Sequence, residues 1–163
     1  MFFSSLLGRT GKNIQVFPNI FRFTHLVNMT KTIESLFERA ITLHQAGKLV
    51  EARGYYEQIL KKTPHHVNAL NFMGVADIQL GEFQRSAHAF EKAIAVNPDF
   101  GEAHNNLGVA LKELKRYDEA IVCCEKALSI QPDYAEAHYL CRGTECDKQK
   151  GRSRFKLSKG RID

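Results

Sequence analysis

Residues 101–134 read GEAHNNLGVALKELKRYDEAIVCCEKALSIQPDY, and their pattern returns through the middle of the chain. A proline ends each copy of the pattern, at Pro64, Pro98 and Pro132, which are 34 residues apart. The pair Leu107-Gly108 likewise follows Met73-Gly74 by 34 residues. A fixed period in this range is typical of a solenoid, in which one supersecondary unit repeats and stacks on its neighbours.

Each unit is predicted to contain two amphipathic helices joined by a tight turn. Apolar side chains recur at helical spacing, a glycine or a basic pair marks the turn, and proline stops the second helix. The predicted helices run from Thr32 to the turn at Gly47 and over residues 49–62, 67–80, 84–96, 101–114 and 118–130. The predicted fold is therefore all-α, a right-handed α-solenoid of antiparallel helix pairs.

These units resemble tetratricopeptide repeats, a family built from a 34-residue helix–turn–helix unit. The third unit carries the family pattern at Leu107, Gly108, Leu111, Tyr117, Ala120, Ala127 and Pro132. The second matches at Met73, Gly74, Gly81, Phe83, Phe90, Ala93 and Pro98, and the first at Ala40, Leu43, Gly47, Ala52, Tyr56 and Pro64. The resemblance covers residues 33–141, with repeats at 33–66, 67–100 and 101–134 and a partial fourth at 135–141.

Several residues depart from the family pattern. Lys115 replaces the turn glycine, and a left-handed lysine would cost on the order of 1 kcal/mol. Asp77 and Ser86 stand where an apolar residue and an alanine are usual. The family's tryptophan position holds Leu36, Leu70, His104 and His138, which predicts weaker packing there.

Both flanks lack the repeat pattern and are expected to be disordered and basic. Residues 1–30 contain three basic and no acidic side chains; a transit peptide, or a true start at Met29, would also explain this composition. Residues 142–163 are polar and basic, and they follow a fourth unit that stops within its first helix. This end favours a truncated or frame-shifted longer repeat protein, and it predicts an uncapped C-terminal end that self-associates.

The charge distribution argues against a nucleic-acid partner. The net charge of +5 comes from the flanks, because residues 31–140 hold 12 basic and 15 acidic side chains. A folded nucleic-acid binder usually collects its basic residues on the folded face. No stretch approaches the length of an apolar transmembrane helix, and we expect a cytoplasmic protein.

No pattern of catalytic or metal-binding residues stands out. The cysteines are Cys123, Cys124, Cys141 and Cys146, and no pair has the two-residue spacing of zinc or redox motifs. Cys124 falls at the repeat position of Tyr56 and Phe90, so it is expected to be a reduced, buried thiol. We expect no enzyme activity, no cofactor, no metal and no small-molecule substrate.

The resemblance implies that the first helix of each pair lines a concave groove. The predicted partner-binding residues on that face are Phe37, Ile41, Asn71, Phe72, Val75, Asn105, Asn106 and Val109. Apolar side chains of this kind give affinity for an extended peptide or a helix, and Asn amides can bond a peptide backbone. Packing within the solenoid is the alternative role for Phe37 and Phe72. A chaperone C-terminal carboxylate is not expected as ligand, because Glu102 would repel it.

The sequence therefore predicts a non-catalytic scaffold that binds a protein or peptide segment. A second hypothesis makes the chain the repeat arm of a larger enzyme, such as an O-linked N-acetylglucosamine-type glycosyltransferase. Asn106, in the sequence Asn-Asn-Leu-Gly, resembles the asparagine ladder of that family's repeat arm. A third, weaker hypothesis is binding of an anionic surface by residues 142–161.

Overall fold

The computed structural model describes the backbone of residues 18–159 and the side chains of residues 32–150. The chain divides into two units, residues 1–33 and residues 34–163. Within the described residues the secondary structure is helical, in the order α1 Pro18–Gln45, α2 Leu49–Lys62, α3 Val67–Gln79, α4 Phe83–Val96, α5 Gly101–Glu113, α6 Tyr117–Ile130 and α7 Ala135–Lys159. The predicted all-α helical-repeat solenoid is confirmed. None of the described helices is long and apolar enough to cross a membrane.

Each helix pair is joined by a residue in the left-handed conformation. Gly47, Gly81 and Lys115 have φ angles of 75°, 79° and 62°. The backbone N–H of the next residue donates a hydrogen bond to a carbonyl of the preceding helix. The N–H of Arg116, for example, donates to the carbonyl of Leu111 at 2.9 Å. Lys115 adopts this conformation in place of the usual glycine, and a side chain there costs roughly 1–2 kcal/mol.

Histidines stabilise the loops between the later repeats. His104 Nε2 donates to the carbonyl of Pro98 at 2.8 Å, and His138 Nε2 donates to the carbonyl of Pro132 at 2.9 Å. Both histidines occupy the family's tryptophan position. In each of these loops a hydrogen bond from histidine holds the backbone at a position where the sequence predicted only weaker packing.

The repeat positions predicted to be apolar form the core. Tyr56, Phe90 and Cys124 are fully buried, and so are Ile59, Ala93 and Ala127. The helical glycines allow close approach between helices. A Cβ on Gly74 would lie 2.7 Å from the Phe90 ring, and one on Gly108 would lie 2.8 Å from Leu140 Cδ2.

The odd-numbered helices form an inner layer. Besides packing on its sequence neighbours, α3 contacts α5, and α5 contacts α7. Residues 34–45 of α1 join this layer, because the Phe37 and Phe72 rings lie 5.7 Å apart. The first helices of the pairs therefore lie side by side, which places the predicted groove face on them.

Helices extend into both flanks, for which the sequence predicted disorder. Helix α1 begins at Pro18 rather than at Thr32, and neither glycine nor another proline interrupts it before Gln45. Helix α7 continues through residues 142–159. Residues 1–17 and 160–163 lie outside the described part, and so the predictions for them stay predictions.

Polar contacts explain why α7 continues beyond the point where the repeat pattern fails. Thr144 is fully buried, and its Oγ1 donates to the carbonyl of Leu140 at 2.7 Å. Farther along α7, Asp147 pairs with Lys112 of α5 at 3.2 Å, and Lys148 pairs with Asp118 of α6. A polar, basic composition is therefore compatible with a helix here, because one face of α7 packs on the third repeat.

The expectation of an uncapped end is also wrong. Helix α7 packs on α5 and α6 through Ala137, Leu140 and Thr144. On its exposed surface, Arg142 occupies the repeat position of Gly74 and Gly108, where close helix packing requires glycine. The exposed surface of α7 is therefore polar at a position where the earlier helices pack closely. Self-association stays a prediction. The uncovered end of the third repeat, on which that prediction was based, is covered by α7.

The prediction of a reduced thiol at Cys124 is wrong, because Cys124 and Cys141 form a disulfide with an S–S distance of 2.08 Å. Repeat geometry accounts for the pairing. Phe90 and Leu107 share one core cluster, and Cys124 and Cys141 occupy the same two positions one repeat later. Cys123 and Cys146 are free thiols. The cytoplasmic location stays a prediction.

Candidate partner-binding groove

The predicted binding residues lie on the inner layer, but they differ in accessibility. Phe37, Ile41, Phe72, Val75, Asn106 and Val109 are half-buried, whereas Asn71 and Asn105 are buried. On each helix these side chains recur at spacings of three or four residues, which keeps them on one face. The structure therefore brings the predicted set onto neighbouring helices, and their contact with a ligand stays a prediction.

The N-terminal part of the groove contains a cluster of aromatic rings around Phe72. The Phe72 ring lies 6.2 Å from the buried Tyr56 ring in a stacked arrangement, and 6.2 Å from His44 in an edge-on one. Phe37 approaches Phe72 edge-on at 5.7 Å and His66 at 5.4 Å. The two phenylalanines thus pack within the solenoid and keep part of their surface accessible.

Burial shifts two titrating groups in this cluster. It raises the pKa of Tyr56 to about 12. Burial also lowers the pKa of His44, although a hydrogen bond with Gln79 acts in the opposite direction. His44 is therefore an uncharged member of the groove at neutral pH.

A hydrogen-bonded network of amides links the second and third repeats. Asn71 Nδ2 donates to Glu102 Oε1 at 2.8 Å, and Asn71 Oδ1 accepts from Asn106 Nδ2 at 3.3 Å. Asn71 is only 1% exposed. Its amide is therefore committed to the joint between repeats, while the half-buried Asn106 remains accessible from the groove.

Asn105 lies beneath the same face of α5. It is 5% exposed, and its side chain hydrogen-bonds the hydroxyl of Tyr134. Its Oδ1 has no partner among the described residues. Burial raises the pKa of Tyr134, so that hydroxyl stays protonated at neutral pH.

The C-terminal part of the groove is more polar, and it includes Arg142 and Asp147, which the sequence prediction did not place there. Lys112 Nζ of α5 lies 3.2 Å from Asp147 Oδ2 of α7. Tyr139 is 72% exposed, and the Arg142 guanidinium lies 6.0 Å from its ring centroid. The sequence prediction places Asp147 in a disordered tail. If the helix is assumed to continue, the eight-residue spacing between Tyr139 and Asp147 would have indicated that both lie on the groove face.

A second polar network surrounds Asp77, which the sequence identified only as a departure from the repeat pattern. Asp77 is 1% exposed, and its carboxylate lies 3.3 Å from Arg53 Nη1 and 3.9 Å from Arg85 Nε. Arg53 and Arg85 both also approach Glu57. Burial raises the pKa of Asp77, whereas the arginines act to lower it. This network joins α2, α3 and α4 and so has a structural role.

Neither a metal site nor a catalytic cluster emerges from the described side chains. No group of three or more His, Cys, Asp or Glu residues among them is arranged to hold a metal ion. A surface depression elsewhere is lined by Pro64, His65, Leu70, Lys92, Ala95 and Val96. The chemistry that the inner face offers is binding through apolar contact, amides and charge.

Sequence comparison identifies two units of the repeat. The tetratricopeptide-repeat family matches residues 67–100 and residues 101–134. These are the second and third predicted repeats, with the same boundaries. No curated protein matches the chain.

Solved structures share the fold. The first such domain of Spaghetti (RPAP3), bound to the HSP90 peptide SRMEEVD, is 22% identical with a TM-score of 0.71, covering 73% of this chain and 94% of that one. The Sgt2 domain from Aspergillus fumigatus is 18% identical with a TM-score of 0.71, covering 75% and 82%. The Thermobaculum terrenum O-GlcNAc transferase is 24% identical with a TM-score of 0.67, covering 71% of this chain and 22% of the transferase.

Proposed function

We propose that this chain, in which residues 67–100 and 101–134 match the tetratricopeptide-repeat family, is a non-catalytic scaffold that binds an extended segment of another protein in its inner groove. The observation that carries the proposal is the apolar strip kept half-buried on the inner layer. Ile41, Val75 and Val109 lie on three successive inner helices, and none is fully buried. A partner that covers such a strip removes it from water, which lowers the free energy of the complex.

The amides beside the strip support an extended ligand. Asn106 is half-buried, and one N–H of its Nδ2 donates to Asn71, so its Oδ1 and its second N–H are left for a ligand backbone. An amide acceptor recognises peptide backbone without regard to side-chain identity. Chaperone peptides bound by similar structures support the scaffold role. An acidic ligand suits this chain poorly, because Glu102 is exposed on the same helix as Asn106.

A peptide-display experiment tests this function. The full chain selects binders from a random-peptide library, and each recovered peptide is measured against an Ile41→Gln, Val109→Gln variant. The matched control is Val50→Gln, Val122→Gln, because these valines are 62% and 63% exposed on the outer helices α2 and α6. We expect the groove variant to weaken binding about tenfold, or about 1.4 kcal/mol. Equal binding by both variants would contradict the groove assignment.

A second candidate function rests on the likeness to the bacterial transferase. The chain would then be the repeat arm of a larger glycosyltransferase and would present substrates to a catalytic part. The Asn71–Asn106 hydrogen bond, which extends an amide row across two repeats, favours this candidate. Sequencing of the transcript tests it: a catalytic domain in the same reading frame is expected, and its absence from the full transcript would count against it.

A further inference from the structure

The groove face is strongly acidic. Helical register places carboxylates beside the apolar and amide residues of every inner helix except α3, at Glu34, Glu38, Glu102, Glu113, Glu136 and Asp147. Glu34 and Glu38, for example, each precede an apolar groove residue, Phe37 and Ile41, by three positions on α1. Lys112 is a cation at the corresponding positions, and Arg142 lies beside the exposed Tyr139. His44 is uncharged at neutral pH because burial lowers its pKa.

These two cations do not neutralise the six carboxylates of this face. Lys112 Nζ pairs with Asp147 at 3.2 Å. Glu102 accepts a hydrogen bond from the uncharged amide of Asn71, which leaves its negative charge intact. Glu38 and Glu113 are exposed, and neither forms an ion pair with another described residue. An excess of unpaired carboxylates therefore faces the groove.

A concave surface lined by one sign of charge focuses its potential and attracts the opposite charge. A bound lysine or arginine side chain would form charge-assisted hydrogen bonds with these carboxylates, which are stronger than neutral ones. An acidic segment would instead face like charges along the groove. The apolar strip and the charges thus select different parts of one ligand.

We infer that the groove recognises a cationic extended segment of a partner protein, in which lysine or arginine side chains alternate with apolar ones. This inference rests on the proposed scaffold function and adds the chemical class of the partner. The apolar side chains would contact Ile41, Val75 and Val109. The cationic side chains would lie against Glu38 and Glu113 at the two ends of that strip.

Charge reversal in the groove tests the inference. The full chain and a Glu38→Lys, Glu113→Lys variant each select from the same random-peptide library. The matched control is Glu91→Lys, Glu125→Lys, because these exposed glutamates lie on the outer helices α4 and α6 and change the net charge equally. Circular dichroism checks that all three proteins are helical.

We expect the unmodified chain to enrich peptides rich in lysine and arginine. Binding of those peptides should fall about tenfold in the groove variant and by less than about twofold in the control. Enrichment of acidic or uncharged peptides that still depend on Ile41 and Val109 would overturn the cationic inference and leave the groove function standing. Binding that is independent of Ile41 and Val109, or recovery of no peptide, would overturn both.

Discussion

Asn71 and Asn106 hold two successive repeats together through their side chains. Asn106 Nδ2 donates to Asn71 Oδ1 at 3.3 Å, and Asn71 Nδ2 donates to Glu102 Oε1 at 2.8 Å. The pair is 35 residues apart, one repeat plus one residue, so each amide reaches from its own helix to the next inner helix. The side chains that join the two repeats therefore also set the geometry of the predicted groove.

Replacing Asn71 with alanine should lower the free energy of unfolding by about 1–2 kcal/mol, because it leaves Asn106 and Glu102 without their buried partner. Urea unfolding of the full chain measures the effect. Asn68→Ala is the control, since Asn68 is exposed on the same helix. If the two variants lost equal stability, the amide network would contribute nothing beyond helix propensity.

Two helical glycines should respond in opposite directions to replacement by alanine. Gly74→Ala places a Cβ 2.7 Å from the Phe90 ring, and we expect a loss of about 1–3 kcal/mol from overpacking. Gly54 is also helical, but a Cβ added there would meet no atom within 4 Å. Gly54→Ala should therefore gain about 0.5–1 kcal/mol through helix propensity. Thermal unfolding of both variants measures the sign, and a stabilising Gly74→Ala would contradict the close packing.

Periodicity predicted the parts of the fold that repeat. The positions of Tyr56 and Phe90 and the turns at Gly47, Gly81 and Lys115 all follow from the 34-residue pattern, because equivalent residues meet equivalent neighbours. The pattern failed at α7, where Lys112–Asp147 and the Cys124–Cys141 bond replace repeat packing. Contacts of this kind join residues on different helices and leave no local signature in the sequence.

The groove residues were predicted from repeat register, but their burial was not. Register placed Asn71 and Asn106 on one face, yet only the structure shows that Asn71 is committed to Asn106 and Glu102. Asp77 illustrates the same limit, since its partners Arg53 and Arg85 lie on neighbouring helices. A single sequence shows which positions share a face; it does not show which side chains satisfy one another across repeats.

Asp77 should make stability depend on pH. Burial raises the pKa of Asp77 in the folded chain above its unfolded value, although Arg53 and Arg85 oppose the shift. The folded state therefore binds this proton more tightly, so the contribution of Asp77 is most favourable below the unfolded pKa and declines as pH rises through the folded pKa. Relative to Asp77→Asn, the unmodified chain should therefore lose stability as the pH rises above about 4, the ordinary pKa of an aspartate.

Urea unfolding at several pH values measures this difference. Asp99→Asn is the control, because it removes an exposed carboxylate from a loop between repeats. If the stability of the unmodified chain instead increased relative to Asp77→Asn as the pH rises, the ion pairs with Arg53 and Arg85 would outweigh the effect of burial on the pKa of Asp77.

The Cys124–Cys141 disulfide should stabilise the attachment of α7. The bond closes a loop with a sequence separation of 17, and cross-links of that span restrict the unfolded chain by about 3 kcal/mol. Cys141→Ser should therefore lower the free energy of unfolding by about this amount, whereas Cys146→Ser, at a free and exposed thiol, should change it by less than about 0.5 kcal/mol. A reducing agent should bring the unmodified chain to the stability of Cys141→Ser and leave that variant unchanged. Hydrogen exchange should then increase first in α7, because α7 has lost its covalent link to α6. If reduction left the unmodified chain as stable as before, the polar contacts of Thr144, Asp147 and Lys148 would be sufficient to hold α7 in place.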